Sequence, residues 1–399
     1  MQNKLIVIVI GLAFILFALW AKVKNEGAIF GFNSGANADF DQAACYGPQL
    51  KSTAAREEAM SAGYNINRRY DCIDIDSANQ LAKSVKSSKD FADSKREAER
   101  KLAEDLKLEQ SQGFAFARAN FKTTVSVKDN NPLPLPEPPP NLFVRVDYKS
   151  GQNTLPAFIT PATSSKQKYP AIIWLTGGDS NSLSDFWTPG NDDDDQSARA
   201  FREAGVVMMF PVLRGGNGNA AGKEFFYGEV DDVIAAADFL ATQPHVDADQ
   251  IYLGGHSTGG TLALLTAARS NRFARVFAFG PVASVDSYRP NLVPIKFRDL
   301  DPKELRLRSP IYWLKDIAKP TYIIEGMGQN NSGSGNIFDF QKLCDSKNKE
   351  NANPKLQCIA AVGYQHYSVL PAVTRTIAAR MVMVANGIDF ALRADEFKR

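Results

Sequence analysis

The chain has 399 residues, 44% of them hydrophobic and 23% charged, with a formal net charge of +2. That length holds one large catalytic domain plus an accessory segment, and the composition excludes a disordered or fibrous protein. Acids and bases nearly balance, and no zinc-finger or RNA-binding signature occurs. An electrostatically driven nucleic-acid binder is therefore excluded, and no nucleic-acid partner is expected.

After Met1-Gln2-Asn3-Lys4 comes an apolar run from Leu5 to Ala21, closed by Lys22 and Lys24. It lies at the short end of the ~17–25 residues that span a bilayer. The flank Leu19-Trp20-Ala21-Lys22 lacks the small-x-small site of a cleaved signal peptide. Residues 1–24 thus read as a single-pass transmembrane anchor, with a removed signal peptide as the alternative. The flanking charges are too evenly matched to give an orientation. The four cysteines, Cys45, Cys72, Cys344 and Cys358, fall into two sequence-local pairs. This is the pattern of two disulfides in an oxidising compartment, against the alternative of buried cytosolic thiols, and its spacing is not that of a metal site. Anchor and paired cysteines together predict a membrane protein whose catalytic body is periplasmic or otherwise extracytoplasmic.

Residues 25–38, rich in Gly, Asn, Ala and Ser, read as a linker. From Asp39 to about Gln112 the pattern reads as helical. Ala54 to Met60 ends at Gly63, and Leu81, Val85, Phe91, Ala98, Leu102 and Leu106 recur at roughly helical spacing among Lys and Glu. The expectation is a charged amphipathic helical hairpin, stapled near its base by Cys45–Cys72; a partner-binding or dimerising helix is the alternative. Next, Pro132-Leu133-Pro134-Leu135-Pro136-Glu137-Pro138-Pro139-Pro140 forbids helix and sheet and predicts a stiff polyproline spacer. It divides an accessory segment (25–131) from a catalytic domain (141–399).

Beyond the prolines, short apolar runs alternate with helical stretches. Leu142–Tyr148 and Leu155–Thr160 read as a hairpin around Lys149 to Asn153. Strands are expected at Ala171–Leu175, Val206–Phe210, Ile251–Leu253, Val276–Phe279, Thr321–Ile324 and Gln357–Val362. Helices are expected at Ala198–Ala204, Glu229–Ala241, Thr261–Ser270, Phe338–Lys347 and Pro371–Asn386. Such alternation predicts the α/β class, a mostly parallel sheet with helices on both faces.

The chemistry centres on Ile251-Tyr252-Leu253-Gly254-Gly255-His256-Ser257-Thr258-Gly259-Gly260. This is strand, G-x-S-x-G, helix. The turn is so tight that residues two before and two after the serine must be small, and the serine itself is strained. The helix that follows aims backbone N–H groups at a developing oxyanion. Ser257 is the expected nucleophile. Of the three histidines, His256 adjoins Ser257 and is expected to point away from its side chain. His245 precedes the nucleophile strand, at the wrong end of the sheet. His366 follows the last strand, where the nucleophile–acid–histidine order of this fold places the base. The oxyanion donors expected are the backbone N–H of Thr258 and one from Thr176-Gly177-Gly178-Asp179, with Gly178 the candidate. For the acid, Glu325 after the Thr321–Ile324 strand is the first choice. Asp286 is the alternative and Asp339 a third.

From about Leu142 onward the chain resembles the catalytic domain of the prolyl-oligopeptidase-like (peptidase S9-like) branch of the α/β hydrolases. The carrying residues are Leu213-Arg214-Gly215-Gly216-Asn217-Gly218, Gly228-Glu229-Val230-Asp231-Asp232-Val233, the Ser257 elbow and Ser309-Pro310-Ile311. The resemblance implies the α/β-hydrolase fold and a serine hydrolase. The family's His-Gly-x-x-Asp stands here as Glu325-Gly326-Met327-Gly328-Gln329, the oxyanion tyrosine has no counterpart near Gly178, and no propeller precedes the domain. Without that filter, an esterase or small acyl hydrolase is as compatible as a peptidase.

Asn191-Asp192-Asp193-Asp194-Asp195 lacks the alternating spacing of a calcium loop and reads as a solvated acidic loop. The expected protein is a metal-free, cofactor-free serine hydrolase acting on a small ester or peptide. Its rival is a membrane-anchored pseudo-hydrolase serving as a binding or scaffold module.

Overall fold

The computed structural model describes residues 111–162, 167–289, 293–328, 336–347, 353–385, 387 and 389–399. Short pieces precede them, at 45–46, 66–67, 72–74, 100–101, 104–105 and 107–109. The chain divides into two compact units, Met1–Leu108 and Glu109–Arg399. The expected membrane anchor, the linker and most of the expected hairpin lie outside the described residues, as do the side chains of Cys45 and Cys72. Among the described residues no helix is long and apolar enough to cross a membrane.

The helical reading of residues 39–112 holds for the described residues from 100 to 112 and needs correction nearer the N-terminus. Strands β1 (Cys45–Tyr46), β2 (Ile66–Asn67) and β3 (Cys72–Asp74) form an antiparallel sheet in the order β1-β3-β2. Runs of two or three residues are too short to show the two-residue alternation by which a strand is read.

The second unit opens with α1 (Phe114–Ala119), so the domain starts well before the proline run. Phe114 is buried and stacks on Trp313 with ring centroids 4.9 Å apart. Arg118 donates to the Tyr227 carbonyl at 2.9 Å and pairs with Asp231 at 2.7 Å. Glu304, itself buried, accepts from the Thr123 hydroxyl and the Thr124 N–H. The prolines offer no N–H, yet their carbonyls still accept. Asn217 donates its amide toward the carbonyls of Leu133 and Pro134, and Leu135 packs on the core. The expected spacer is a strap laid on the domain.

The sheet is built from β4 (Val144–Ser150), β5 (Asn153–Ile159), β6 (Tyr169–Leu175), β7 (Val207–Pro211), β8 (Val246–His256), β9 (Val276–Phe279), β10 (Thr321–Met327) and β11 (Leu356–Val362). Its order is β11-β10-β9-β8-β6-β7-β5-β4. The β4–β5 hairpin is antiparallel and β5 runs antiparallel to β7; all other pairings are parallel. Both the crossover of β6 and β7 and the antiparallel second strand are those of the α/β-hydrolase fold.

Side-chain alternation along each strand feeds two cores. Ala171, Ile173 and Leu175 face one layer with α3 (Glu229–Ala241) and α4 (Thr258–Arg269). Ile172 and Trp174 face the other, with α2 (Ala200–Glu203) and α7 (Val369–Ala385). The remaining helices are α5 (Pro302–Arg308) and α6 (Ile337–Lys347). A disulfide joins Cys344 on α6 to Cys358 on β11, one of the two pairs expected.

Candidate active site

Ser257 stands between β8 and α4 with φ 55° and ψ −114°. A non-glycine residue there costs about 1–3 kcal/mol and persists only where its surroundings hold it. Here the holding is backbone against backbone. A Cβ on Gly255 would lie 2.3 Å from the Gly259 oxygen, and one on Gly259 would lie 2.3 Å from the Leu175 oxygen. The two glycines flanking the serine thus let β8, α4 and the end of β6 converge. Ser257 N–H donates to Phe279 O at 2.7 Å, and Thr261 N–H closes the first helical turn on Ser257 O at 2.9 Å.

The loop after β6 passes beside the serine. A Cβ placed on Gly177 would be 3.4 Å from Ser257 Cβ. Gly178, at φ 74°, accepts the Thr258 hydroxyl on its carbonyl at 2.9 Å. The hydroxyl of the residue after the nucleophile therefore ties down the loop expected to supply the second oxyanion donor. Sequence reasoning gave Thr258 only a backbone role.

His366 lies in the loop between β11 and α7, and its Nδ1 is 3.2 Å from Glu325 Oε2. Glu325 is fully buried, and its Oε1 accepts Gly326 N–H at 2.8 Å. With both oxygens engaged, the carboxylate is fixed in orientation. It occupies β10 itself rather than the loop after it. Asp286 lies in the 3-10 turn Val285–Ser287, near Asp339, which accepts from the Ala283 N–H and the Ser287 hydroxyl. The structure thus brings Glu325 to His366, and puts Asp286 in the turn Val285–Ser287 and Asp339 in the first turn of α6. Among the described residues no hydrogen bond joins Ser257 Oγ to His366; such bonds often tighten only around substrate.

Two residues of this site, Gly280 and His256, make contacts that no local sequence pattern announces. A Cβ on Gly280, at the end of β9, would lie 2.3 Å from His366 Cε1 and 3.1 Å from Glu325 Oε2. The imidazole–carboxylate pair rests on that bare backbone. His256 packs against His366, with ring centroids 4.5 Å apart. Its Nε2 lies 3.1 Å from the His366 carbonyl oxygen, to which only an N–H can donate. Burial, and then the nearby His366, push its pKa down to about 3, so it is neutral at physiological pH. The third histidine, His245, is buried before β8, and its carbonyl accepts Tyr169 N–H.

The loop after β7 is held by Arg214. Its guanidinium grips both oxygens of fully buried Asp232 at 2.9 Å and reaches Glu224 at 2.7 Å. Residues 193–385 match the prolyl oligopeptidase family, peptidase S9. That match spans just under half of the chain, and over it the chain resembles that family. This chain is 28% identical to dipeptidyl-peptidase 5 of Porphyromonas gingivalis over 43% of its own length and 25% of the relative. It is also 28% identical to the uncharacterized peptidase YtmA of Bacillus subtilis, over 33% of this chain and 55% of that one. It spans well under two thirds of either relative. Among solved structures, Porphyromonas gingivalis dipeptidyl peptidase 4 aligns at 20% identity with a TM-score of 0.46, over 61% of this chain and 35% of that one.

Proposed function

We propose that this chain is a serine hydrolase of the S9 type that cleaves the amide or ester of a small substrate, a short peptide first, through an acyl-enzyme. Ser257 Oγ attacks the carbonyl carbon while His366 Nε2 takes its proton. Glu325 holds the Nδ1 proton and stabilises the imidazolium that forms. The oxyanion is met by the N–H groups of Thr258 and Gly178, with the N-terminus of α4 behind them. His366 returns the proton to the leaving amine or alcohol. Water, activated by the same imidazole, then frees Ser257.

The observation that carries this reading is the Glu325–His366 pair at 3.2 Å, seated over Gly280 beside a strained serine. The family match makes a peptide the first substrate to try, and the ester remains chemically open to the same groups. The scaffold alternative drew on the missing aspartate of the family pattern; Glu325 supplies that carboxylate, so the alternative loses its motive. The Cys344–Cys358 disulfide and the apolar run Leu5–Ala21 together support an anchored, extracytoplasmic location.

The test is labelling with a fluorophosphonate probe, wild type beside Ser257→Ala and His366→Ala. Labelling in the wild type alone is the expected result. A folded wild type that takes no label overturns the hydrolase reading.

A further inference from the structure

A cavity of about 490 Å³ opens beside Gly178 and Thr258, a size suited to a small organic group. None of its lining residues comes from the end of β10 or the His366 loop. In the proposed reaction the leaving group must sit against His366, which protonates it. A cavity on the oxyanion side and away from that histidine is the place for the acyl half of the substrate. This reasoning rests on the proposed hydrolase function and deepens it.

Phe225, Phe226, Leu262 and Val293 give the cavity an apolar wall. Phe225 and Phe226 have φ of 50° and 68°, uncommon and costly for aromatic residues. They are pinned by buried Glu229. Its Oε1 accepts the N–H groups of Glu224 and Phe225 and the Asn181 amide, and its Oε2 accepts Tyr227 N–H. The strain is thus spent on holding two rings in a substrate pocket. Phe226 is braced further by stacking on Tyr288 at 5.5 Å, planes within 5°.

A second part of the lining comes from the strap that precedes the sheet. Val127 and Lys223 exchange backbone hydrogen bonds of 2.9 and 2.8 Å. A Cβ on Gly218 would touch Pro132 at 3.3 Å, so the strap is fixed on both sides of residues 128–131. Those residues line the cavity. Lys223 Nζ ties the strap to the loop after β6, 2.7 Å from Asp179 of that loop and 3.8 Å from Asp129 of the strap.

We propose that strap residues 128–131 are a specificity-determining wall, which limits the substrate to a short acyl group with an apolar body, such as one hydrophobic aminoacyl residue. The apolar rings accept that body, and Asn130 and Asn131 end the space available to it.

The test uses the full chain and p-nitrophenyl esters from acetyl to dodecanoyl, so that only the acyl length varies. Rates are normalised to sites titrated with a small fluorophosphonate. The wild type is expected to peak at a short ester. Asn130→Ala with Asn131→Ala is expected to raise the ratio of long-chain to short-chain kcat/KM by roughly tenfold, the scale of apolar-pocket discrimination. Asn130→Trp is expected to lower it. Identical length profiles in all three proteins, or a wild-type rate still rising at dodecanoyl, overturn the proposal while leaving the hydrolase intact. A wild type that is not titrated at all overturns the hydrolase reading, and the proposal with it.

Discussion

At the scale of the residue, the question with most at stake is which carboxylate serves His366. Glu325 holds one oxygen at Nδ1 and the other on a backbone N–H, so a neutral amide there leaves the geometry nearly intact but favours the wrong imidazole tautomer. Glu325→Gln is expected to lower kcat by about 10²- to 10⁴-fold with KM little changed. Asp286→Asn is expected to stay within about threefold of wild type, below any triad effect. Steady-state kinetics on one p-nitrophenyl ester decide it, and reversed magnitudes would move the acid to Asp286.

His256 adds a pH effect with a definite sign. Its pKa is about 3 in the fold against 6.5 ordinarily, so between those values the unfolded chain binds more protons. Stability is unaffected above pH 6.5 and declines as pH falls from there toward 3. His256→Gln keeps a donor for the His366 carbonyl and removes the titration. Its denaturation midpoint is expected to fall less steeply than that of wild type between pH 6 and pH 4, about the lower flank of histidine titration. Parallel slopes would mean that His256 is charged in the fold. Ser257 and His366 stand out as candidates in the sequence because an elbow motif and a chain order point at them. Gly280 and the second contact of His256 do not, because each acts on a residue far away in the chain, and no local pattern carries that distance.

At the scale of the element, the strands of the second unit were readable because each is an apolar run bounded by turns. Their ends were less so: β10 runs on to Met327, which places Glu325 inside the sheet. Apolar runs show where a strand is buried, while a buried carboxylate such as Glu325 near a strand's end interrupts that run. Helix α1 was missed as part of the domain for a related reason. Its six residues are too few for periodicity, and its partner Trp313 is distant in sequence. The fold gives it a measurable weight. Phe114→Ala removes a buried ring stacked on Trp313 and is expected to cost about 3–5 kcal/mol, read as a lower denaturant midpoint with an unchanged m-value. A change below about 0.5 kcal/mol, typical of the surface, would mean that α1 is not docked in solution.

At the scale of the whole molecule, the proline run made a persuasive boundary, because a stretch that can join neither helix nor sheet looks like a hinge between bodies. Its flanks say otherwise. Before it, α1, Thr123, Thr124 and Val127 are bonded to the hydrolase unit, and within it Leu133 and Pro134 are bonded to Asn217. The division therefore falls at Leu108/Glu109, and a fragment cut at the prolines loses more than a tail. It exposes the apolar surface around Trp313 and Tyr227, leaves buried Glu304 without the Thr123 hydroxyl and the Thr124 N–H, and removes one wall of the cavity. A fragment of residues 109–399 is expected to unfold cooperatively and to take the fluorophosphonate label. One of residues 141–399 is expected to be less stable by several kcal/mol, since a buried carboxylate left short of partners alone costs about 1–3 kcal/mol and a core aromatic contact more. Thermal unfolding of the two fragments side by side is the measurement. Equal midpoints would restore the boundary to the prolines and reduce residues 109–131 to an appendage.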